Sequence, residues 1–362
     1  MAAIPSRYQP VGAQILGGMS AVQLCTDTIL ERPVAIKFVP GAANRRRILD
    51  EIKALLKMRS KHVVQVYDLI SVGEDIGIVQ EFVEGLDLYE SLGPAQDLTD
   101  YYKRLWQIAA GIADIHALGV IHRDIKLNNM KTDPEGLIKI FDFGLARDVG
   151  LSASTLGFVG TPGFAAPELH SNAVRFTTAA DVYAFGIVAL ALGVGSDALP
   201  LELFQQPPWP APEDCFRNLL IGSGVSERHP LALDVSRKLL ACLAHEPEAR
   251  PEMAEVRDLL ARHLLGGRHE ANLVFDGKDG KLGAANPIAH LNVLNVGQIR
   301  IRYRDLDFAV EDVSGEVTIN NRAVAPGFVI AGSCVISIGA AHRRANERKF
   351  VTFDVSHPEI VL

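Results

Sequence analysis

The stretch His122-Arg123-Asp124-Ile125-Lys126-Leu127-Asn128-Asn129, followed by Asp142-Phe143-Gly144, constrains this chain more than any other. It supplies one carboxylate to accept or orient a hydroxyl proton, and a second carboxylate and an amide oxygen to hold a divalent cation. The pattern around it sets its place in the fold. From about Tyr8 to Val39 apolar and polar residues alternate around glycines, which predicts a small antiparallel sheet, and Val63 to Asp68 and Ile76 to Val83 read as further strands. Between them Asn44 to Met58 reads as a helix, with Ile48, Ile52, Leu55 and Leu56 on one stripe. From Thr99 onward the pattern is mostly helical: Tyr101 to Leu118, Ala179 to Leu192, Val235 to His245 and Met253 to Leu265. A β-rich lobe is thus followed by an α-rich lobe, and the chemistry clusters where they meet.

After Leu264-Leu265-Gly266-Gly267 the character changes again. Gln298 to Tyr303, Phe308 to Val313, Gly315 to Ile319, Phe328 to Ile330, Cys334 to Ile338 and Lys349 to Val355 are short runs rich in β-branched residues, parted by Asp, Asn, Gly and Pro. That is the rhythm of a β-sandwich or barrel. A domain boundary is expected near Gly266-Gly267.

Composition is ordinary for a globular chain of 362 residues, long enough for one large domain and a small one. A formal net charge of −7 argues against broad electrostatic binding to nucleic acid or anionic lipid, and Arg45-Arg46-Arg47 reads as a solvated helix face. Cys25, Cys215, Cys242 and Cys334 are scattered, which fits reduced thiols in a cytoplasm and gives no zinc site or disulfide framework. The first residues lack the apolar core of a signal peptide, and the longest apolar stretch, Val182 to Val194, is too short to span a bilayer and reads as a buried helix. A soluble, cytoplasmic chain that binds neither membrane nor nucleic acid is expected.

The catalytic stretch resembles the His-Arg-Asp-x-Lys-x-x-Asn and Asp-Phe-Gly motifs of protein kinases, in the Ser/Thr form that places a lysine two residues after the aspartate. Ile15-Leu16-Gly17-Gly18-Met19-Ser20-Ala21-Val22 is similar to their glycine-rich loop, in a form common in bacteria, and Val34-Ala35-Ile36-Lys37 matches their lysine-bearing strand. The resemblance covers about Tyr8 to Leu265 and implies a bilobal α+β fold using ATP and Mg²⁺ (or Mn²⁺) on protein substrates. It implies Asp124 as catalytic acceptor, Lys126 as a charge stabiliser, and Asn129 and Asp142 as metal ligands. It also implies that Lys37 reaches the phosphates, held by Glu51, with Asp50 as fallback. Gly17 and Gly18 would approach the phosphates, and Val22, Ala35 and the backbone of Glu81 and Val83 the adenine, behind Gln80; Asp87 falls at the ribose.

Lys131 stands where the family places an apolar residue under the adenine: either its stem packs there or the local register differs. Arg123 implies an activation loop switched by phosphorylation, with Thr155, Ser154 and Ser152 as candidates. Gly160 to Glu168 matches the segment that closes that loop. Thr161, Asp181 and the pair Glu168 and Arg250 read as supports.

Phe308 to Val324 with Ile330 to Gly339 resembles the second half of a forkhead-associated (FHA) domain, a β-sandwich that binds phosphothreonine; its Gly-Arg and Ser-x-x-His signature is not found before Gln298. Arg300, Arg302 and Arg304 lie nearby, on a strand where they can face solvent. The expectation is a kinase domain over 1–266 (lobes about 8–83 and 84–266), a linker over 267–273, and an FHA-like all-β sandwich over 274–362 that regulates, binds a phosphoprotein partner or forms a homodimer. The alternative is a weakly active or inactive kinase-fold scaffold, since Ile15, Gln80 and Lys131 alter the nucleotide site.

Overall fold

The structure, a computed structural model, describes residues 4–16, 21–39, 45–73, 75–91, 93, 95–143, 163–170, 177–195, 215–222, 228–304, 307–344 and 347–356, with backbone alone at 15, 16, 45–48, 50 and 51. By its contacts the chain divides into two compact units, Met1–Leu260 and Ala261–Leu362.

The first unit begins with an antiparallel sheet of β1 (Tyr8–Pro10), β2 (Ile15–Leu16), β3 (Ala21–Asp27), β4 (Arg32–Val39), β5 (Val66–Val72) and β6 (Asp75–Glu81). The order is β1-β3-β4-β6-β5, with β2 on β3. Alternation along β6 sends Ile76 and Ile78 to one face and Val79 to the other. On the first face α1 (Arg45–Lys57) packs Ile52 and Leu55, and Phe143 joins the same cluster. Each of these fully buried aliphatic side chains contributes about 1.5–3 kcal/mol. The strand expected from Val63 starts only at Val66. Val63 instead bridges Ile140, and the Val64 N–H donates to the Ile140 carbonyl at 3.0 Å, drawing this segment toward the catalytic loops.

Beyond it come α2 (Leu88–Ser91), α3 (Leu98–Ala117), β7 (Met130–Thr132), β8 (Ile138–Ile140), α4 (Thr178–Val194), β9 (Leu220–Ile221), β10 (His229–Pro230), α5 (Leu233–Cys242) and α6 (Met253–Leu265). Asp97 caps α3 by accepting from the Asp100 N–H at 2.8 Å. Gly111 lets α3 approach the chain at His62 closely, since a Cβ there would stand 2.8 Å from the His62 carbonyl oxygen. Helix α4 is apolar on every side and is buried from Ala180 through Leu192, as a helix without a polar face must be. Among the described residues no helix is long and apolar enough to cross a membrane.

The second unit is all-β: β11 (Ala271–Phe275), β12 (Lys278–Leu282), β13 (Ile288–Val293), β14 (Gly297–Arg304), β15 (Asp307–Gly315), β16 (Val317–Ile319), β17 (Arg322–Ala323), β18 (Val329–Ile330), β19 (Cys334–Ile338) and β20 (Lys349–Val355). One sheet runs β12-β11-β20-β19-β16-β17 and the other β13-β14-β15-β18. A single core that includes Leu273, Ile299, Ile301, Phe308, Ile336 and Phe353 draws from both, as in a sandwich. Strands β11 to β13 were not anticipated, and β11 starts within the expected 267–273 linker. Along β14 the core takes Ile299, Ile301 and Tyr303, so Arg300, Arg302 and Arg304 point away from it.

Candidate active site

Lys37 lies on β4 between Val22 of β3 and Ile78 of β6, and only 4 % of it is exposed. A buried ammonium requires acceptors. Its Nζ donates to the Phe143 carbonyl at 2.7 Å and ion-pairs with Asp142. The sheet and the Asp-Phe-Gly segment are thereby joined at the residue expected to hold a metal. The side chains of Glu51 and Asp50, the expected partners of Lys37, lie outside the described residues, as do Gly17 and Gly18.

The catalytic loop is anchored from below. Asp181, near the start of α4, is 1 % exposed and accepts from the N–H groups of His122 at 2.8 Å and Arg123 at 2.9 Å, and from His116 Nε2 at 2.9 Å. Burial works to raise its carboxyl, yet the hydrogen bonds from His116 and from the His122 N–H hold it below the usual carboxylate value. His116 was not singled out in the sequence; the available signal was a lone imidazole at the end of a largely apolar helix.

His122 is fully buried, and burial lowers its pKa. Its Nδ1 accepts from the Asp124 N–H at 3.3 Å, so the proton sits on Nε2 and goes to the Phe141 carbonyl at 3.0 Å. Arg123 and Asp142 both adopt positive φ, +70° and +65°, a costly backbone for non-glycine residues, one on each of the two loops that carry the motif residues.

The Asp124 carboxylate receives Asn129 Nδ2 at 2.9 Å and Lys126 Nζ at 3.0 Å, and Asn129 also donates to the Asp124 carbonyl at 2.8 Å. Asn129 closes the 3₁₀ turn Leu127–Asn129, and its own carbonyl accepts from the Phe141 N–H at 2.9 Å, tying the loop to the Asp142 segment.

On the nucleotide side, Ala35 of β4 faces Gln80 of β6, and both are buried. The Glu81 side chain turns to Lys139 at 2.8 Å. Asp87 accepts the Glu90 N–H at 3.0 Å, capping α2, and Asn128 Nδ2 at 3.3 Å. The register of β7 on β8 is regular, with Lys131 opposite Lys139, and Lys131 Nζ donates to the Val83 carbonyl at 3.2 Å. Lys131 thus lies in a regularly paired strand with its ammonium on the Val83 carbonyl.

A family model described as the protein kinase domain matches residues 10–258. The chain belongs to the protein kinase family. Among its relatives are the serine/threonine-protein kinase drp72 of Corynebacterium efficiens, 30 % identical over 69 % of this chain and 44 % of that protein, and PknA of Corynebacterium glutamicum, 35 % identical over 49 % and 41 %. The mitogen-activated protein kinase kinase kinase YODA of Arabidopsis thaliana is 28 % identical over 66 % and 26 %. The chain spans less than half the length of these curated relatives.

Within this kinase domain the Glu168 carboxylate meets Arg250 in a two-point ion pair, 2.8 Å at each contact. Arg250 also donates to the carbonyls of Ala244, Ala179 and His245, so the end of the activation segment is fixed to α4 and to the chain ahead of α6. Thr161 and the candidate phosphosites Ser152, Ser154 and Thr155 lie outside the described residues.

Kinase domains use ATP and a divalent metal, and the donor set here suits Mg²⁺. Among the described residues no group of three or more His, Cys, Asp and Glu could hold a metal by itself. Mg²⁺ instead takes one or two protein oxygens and completes its shell with phosphates and water. Asp142 offers a carboxylate, and Asn129, whose Nδ2 is engaged by Asp124, has its amide oxygen to offer.

Proposed function

We propose that this protein is a Ser/Thr kinase that transfers the γ-phosphoryl group of ATP to protein hydroxyls. One observation carries the reading: the Asp124 carboxylate is gripped by Asn129 and Lys126 on a loop that Asp181 fixes from beneath, while Lys37 and Asp142 meet across the cleft. A loose phosphoryl transition state needs little covalent help, so positioning and charge neutralisation are the tasks. Asp124 orients the substrate hydroxyl and takes up its proton. Lys126 stands beside the developing charge, and Lys37 holds the phosphates. Asn129 and Asp142 would hold Mg²⁺ or Mn²⁺, which when bound would neutralise the phosphate oxygens. Glu51 is the proposed carboxylate partner of Lys37 during turnover; Gly17, Gly18, Val22, Ala35 and the backbone of Glu81 and Val83 form the nucleotide cradle, with Asp87 at the ribose.

The same reading makes Thr155, with Ser152 and Ser154, sites of autophosphorylation opposite Arg123. It makes the second unit an FHA-like module for a phosphorylated partner, in a bacterial signalling protein of the cytoplasm. Two packed antiparallel sheets support the module. Arg302 is already engaged by Glu311 at 2.8 Å, so the exposed Arg300 and Arg304 are the better arginines for a phosphate. Loss of phosphothreonine-peptide binding in Arg300→Ala is expected; unchanged binding would discard that role.

Incubation of the full chain with Mg-ATP, followed by intact mass and phosphosite mapping, tests the enzyme. Phosphates are expected on the wild type, Thr155 included, and none on Asp142→Asn. Nucleotide binding without any phosphate on the wild type or on added protein substrates would favour the scaffold reading, which the lysine at the Val83 carbonyl also supports.

A further inference from the structure

The sequence motifs leave Lys131 unexplained, and the structure gives it a specific post. Its ammonium donates to the Val83 carbonyl at 3.2 Å, 6.0 Å from the centre of the Phe82 ring and 5.8 Å from that of Phe141. Strand β7 is thus linked to the segment just after β6, through a backbone bridge between Lys131 and Asp87 as well. Val83 has one N–H donor and one C=O acceptor to give a purine edge. A purine whose ring nitrogen accepts from the Val83 N–H presents its C2 substituent to the Val83 carbonyl. In adenine that substituent is a C–H. In 2,6-diaminopurine, whose ring nitrogens accept as those of adenine do, it is an amine, a donor that would seek the carbonyl. An ammonium has three donors and no acceptor, so it takes one of the two lone-pair positions of that oxygen, cannot bond the amine, and repels its positive end.

We propose that Lys131, by occupying the Val83 carbonyl, is a specificity-determining residue that disfavours purines with a 2-amino group and so sharpens selection for adenine nucleotides. The inference rests on the nucleotide-binding reading above. It separates base selection from catalysis.

Calorimetric titration of the full chain with ADP and with 2,6-diaminopurine riboside diphosphate tests it, in the wild type, Lys131→Met and Lys131→Arg. The methionine keeps the stem and removes the donor; the arginine keeps a cation and donor. The wild type is expected to prefer ADP, and Lys131→Met to lower that preference roughly three- to tenfold, the worth of about one hydrogen bond. Lys131→Arg is expected to keep it. Lys131→Leu replaces the methionine variant if thermal melting shows the latter unfolded. An ADP preference equal in wild type and Lys131→Met overturns the proposal while leaving the nucleotide site standing. Failure of the wild type to bind either nucleotide overturns both.

Discussion

Arg250 holds Glu168 by two contacts of 2.8 Å, and none of the Arg250 side chain reaches solvent. The arginine was brought into the interior with its charge, and the carboxylate with three backbone carbonyls satisfies it there. A buried pair of this kind says little about net stability, but removing one partner strands the other.

Arg250→Ala is therefore expected to destabilise the first unit by about 3–5 kcal/mol, through loss of both contacts to Glu168 and of the donors to the Ala179, Ala244 and His245 carbonyls. Urea unfolding followed by intrinsic fluorescence measures it. A loss below about 1 kcal/mol would mean that the pair is not buried in solution.

Asp181→Asn retains the shape but removes the charge that receives two catalytic-loop N–H groups and His116. Hydrogen bonds to a charged group are worth about 1.5–3 kcal/mol, so kcat for peptide phosphorylation should fall roughly tenfold to a hundredfold. The KM for ATP should move far less, because Asp181 touches the loop bearing Asp124 and not the Val83 segment. A larger change in KM than in kcat would contradict a positioning role.

Stability should fall in acid through Asp27. Its carboxylate is 1 % exposed and takes Arg7 at 2.9 and 2.7 Å, and the Arg7 hydrogen bond leads the causes that lower it from 3.8 to about 2. A carboxyl depressed on folding stabilises at pH values above its unfolded pKa, and that contribution disappears as pH falls from about 4 to about 2. Melting temperatures of wild type and Asp27→Asn should differ at pH 7 and converge toward pH 2–3. Parallel curves throughout would show that Asp27 carries none of the acid sensitivity.

Gly315→Ala should damage the second unit alone. Gly315 has φ +76°, and a Cβ there would stand 2.4 Å from the Val296 carbonyl oxygen and 2.7 Å from the Gly297 Cα, both rigid backbone atoms. A cost of about 2 kcal/mol or more is expected from strain and displacement together. Hydrogen exchange should show deprotection in β14 to β16 while α3 and α4 stay protected.

Much of the fold was legible because its signals are short-ranged. The alternation along β3, β4 and β6 and the stripe of α1 are local periodicities, and each became the element it predicted. Strands β11 to β13 were missed although β11 and β12 carry a strong hairpin cue. Asp276-Gly277 joins them as a two-residue loop, both residues at positive φ, with Phe275 opposite Lys278. The polar strand Lys278–Leu282 hid it, being mostly exposed and lacking an apolar face. The Asn320-Asn321 turn between β16 and β17 has the same positive-φ geometry and lay inside a stretch that was read as β-rich.

Local sequence was enough to name the chemical groups proposed for catalysis, because the motif around Asp124, Asn129 and Asp142 sets residue type and spacing within a short length of chain. It also determined the order of the β-rich and α-rich parts, which follows from local periodicity. Which side chains meet was settled by long-range packing. Lys37 with the Asp142-Phe143 segment, His116 with Asp181, Arg7 with Asp27, and Lys131 with the Val83 carbonyl are pairs distant in sequence. Long polar side chains have many partners within reach in an unfolded chain, and burial selects the one that leaves no charge or carbonyl unsatisfied.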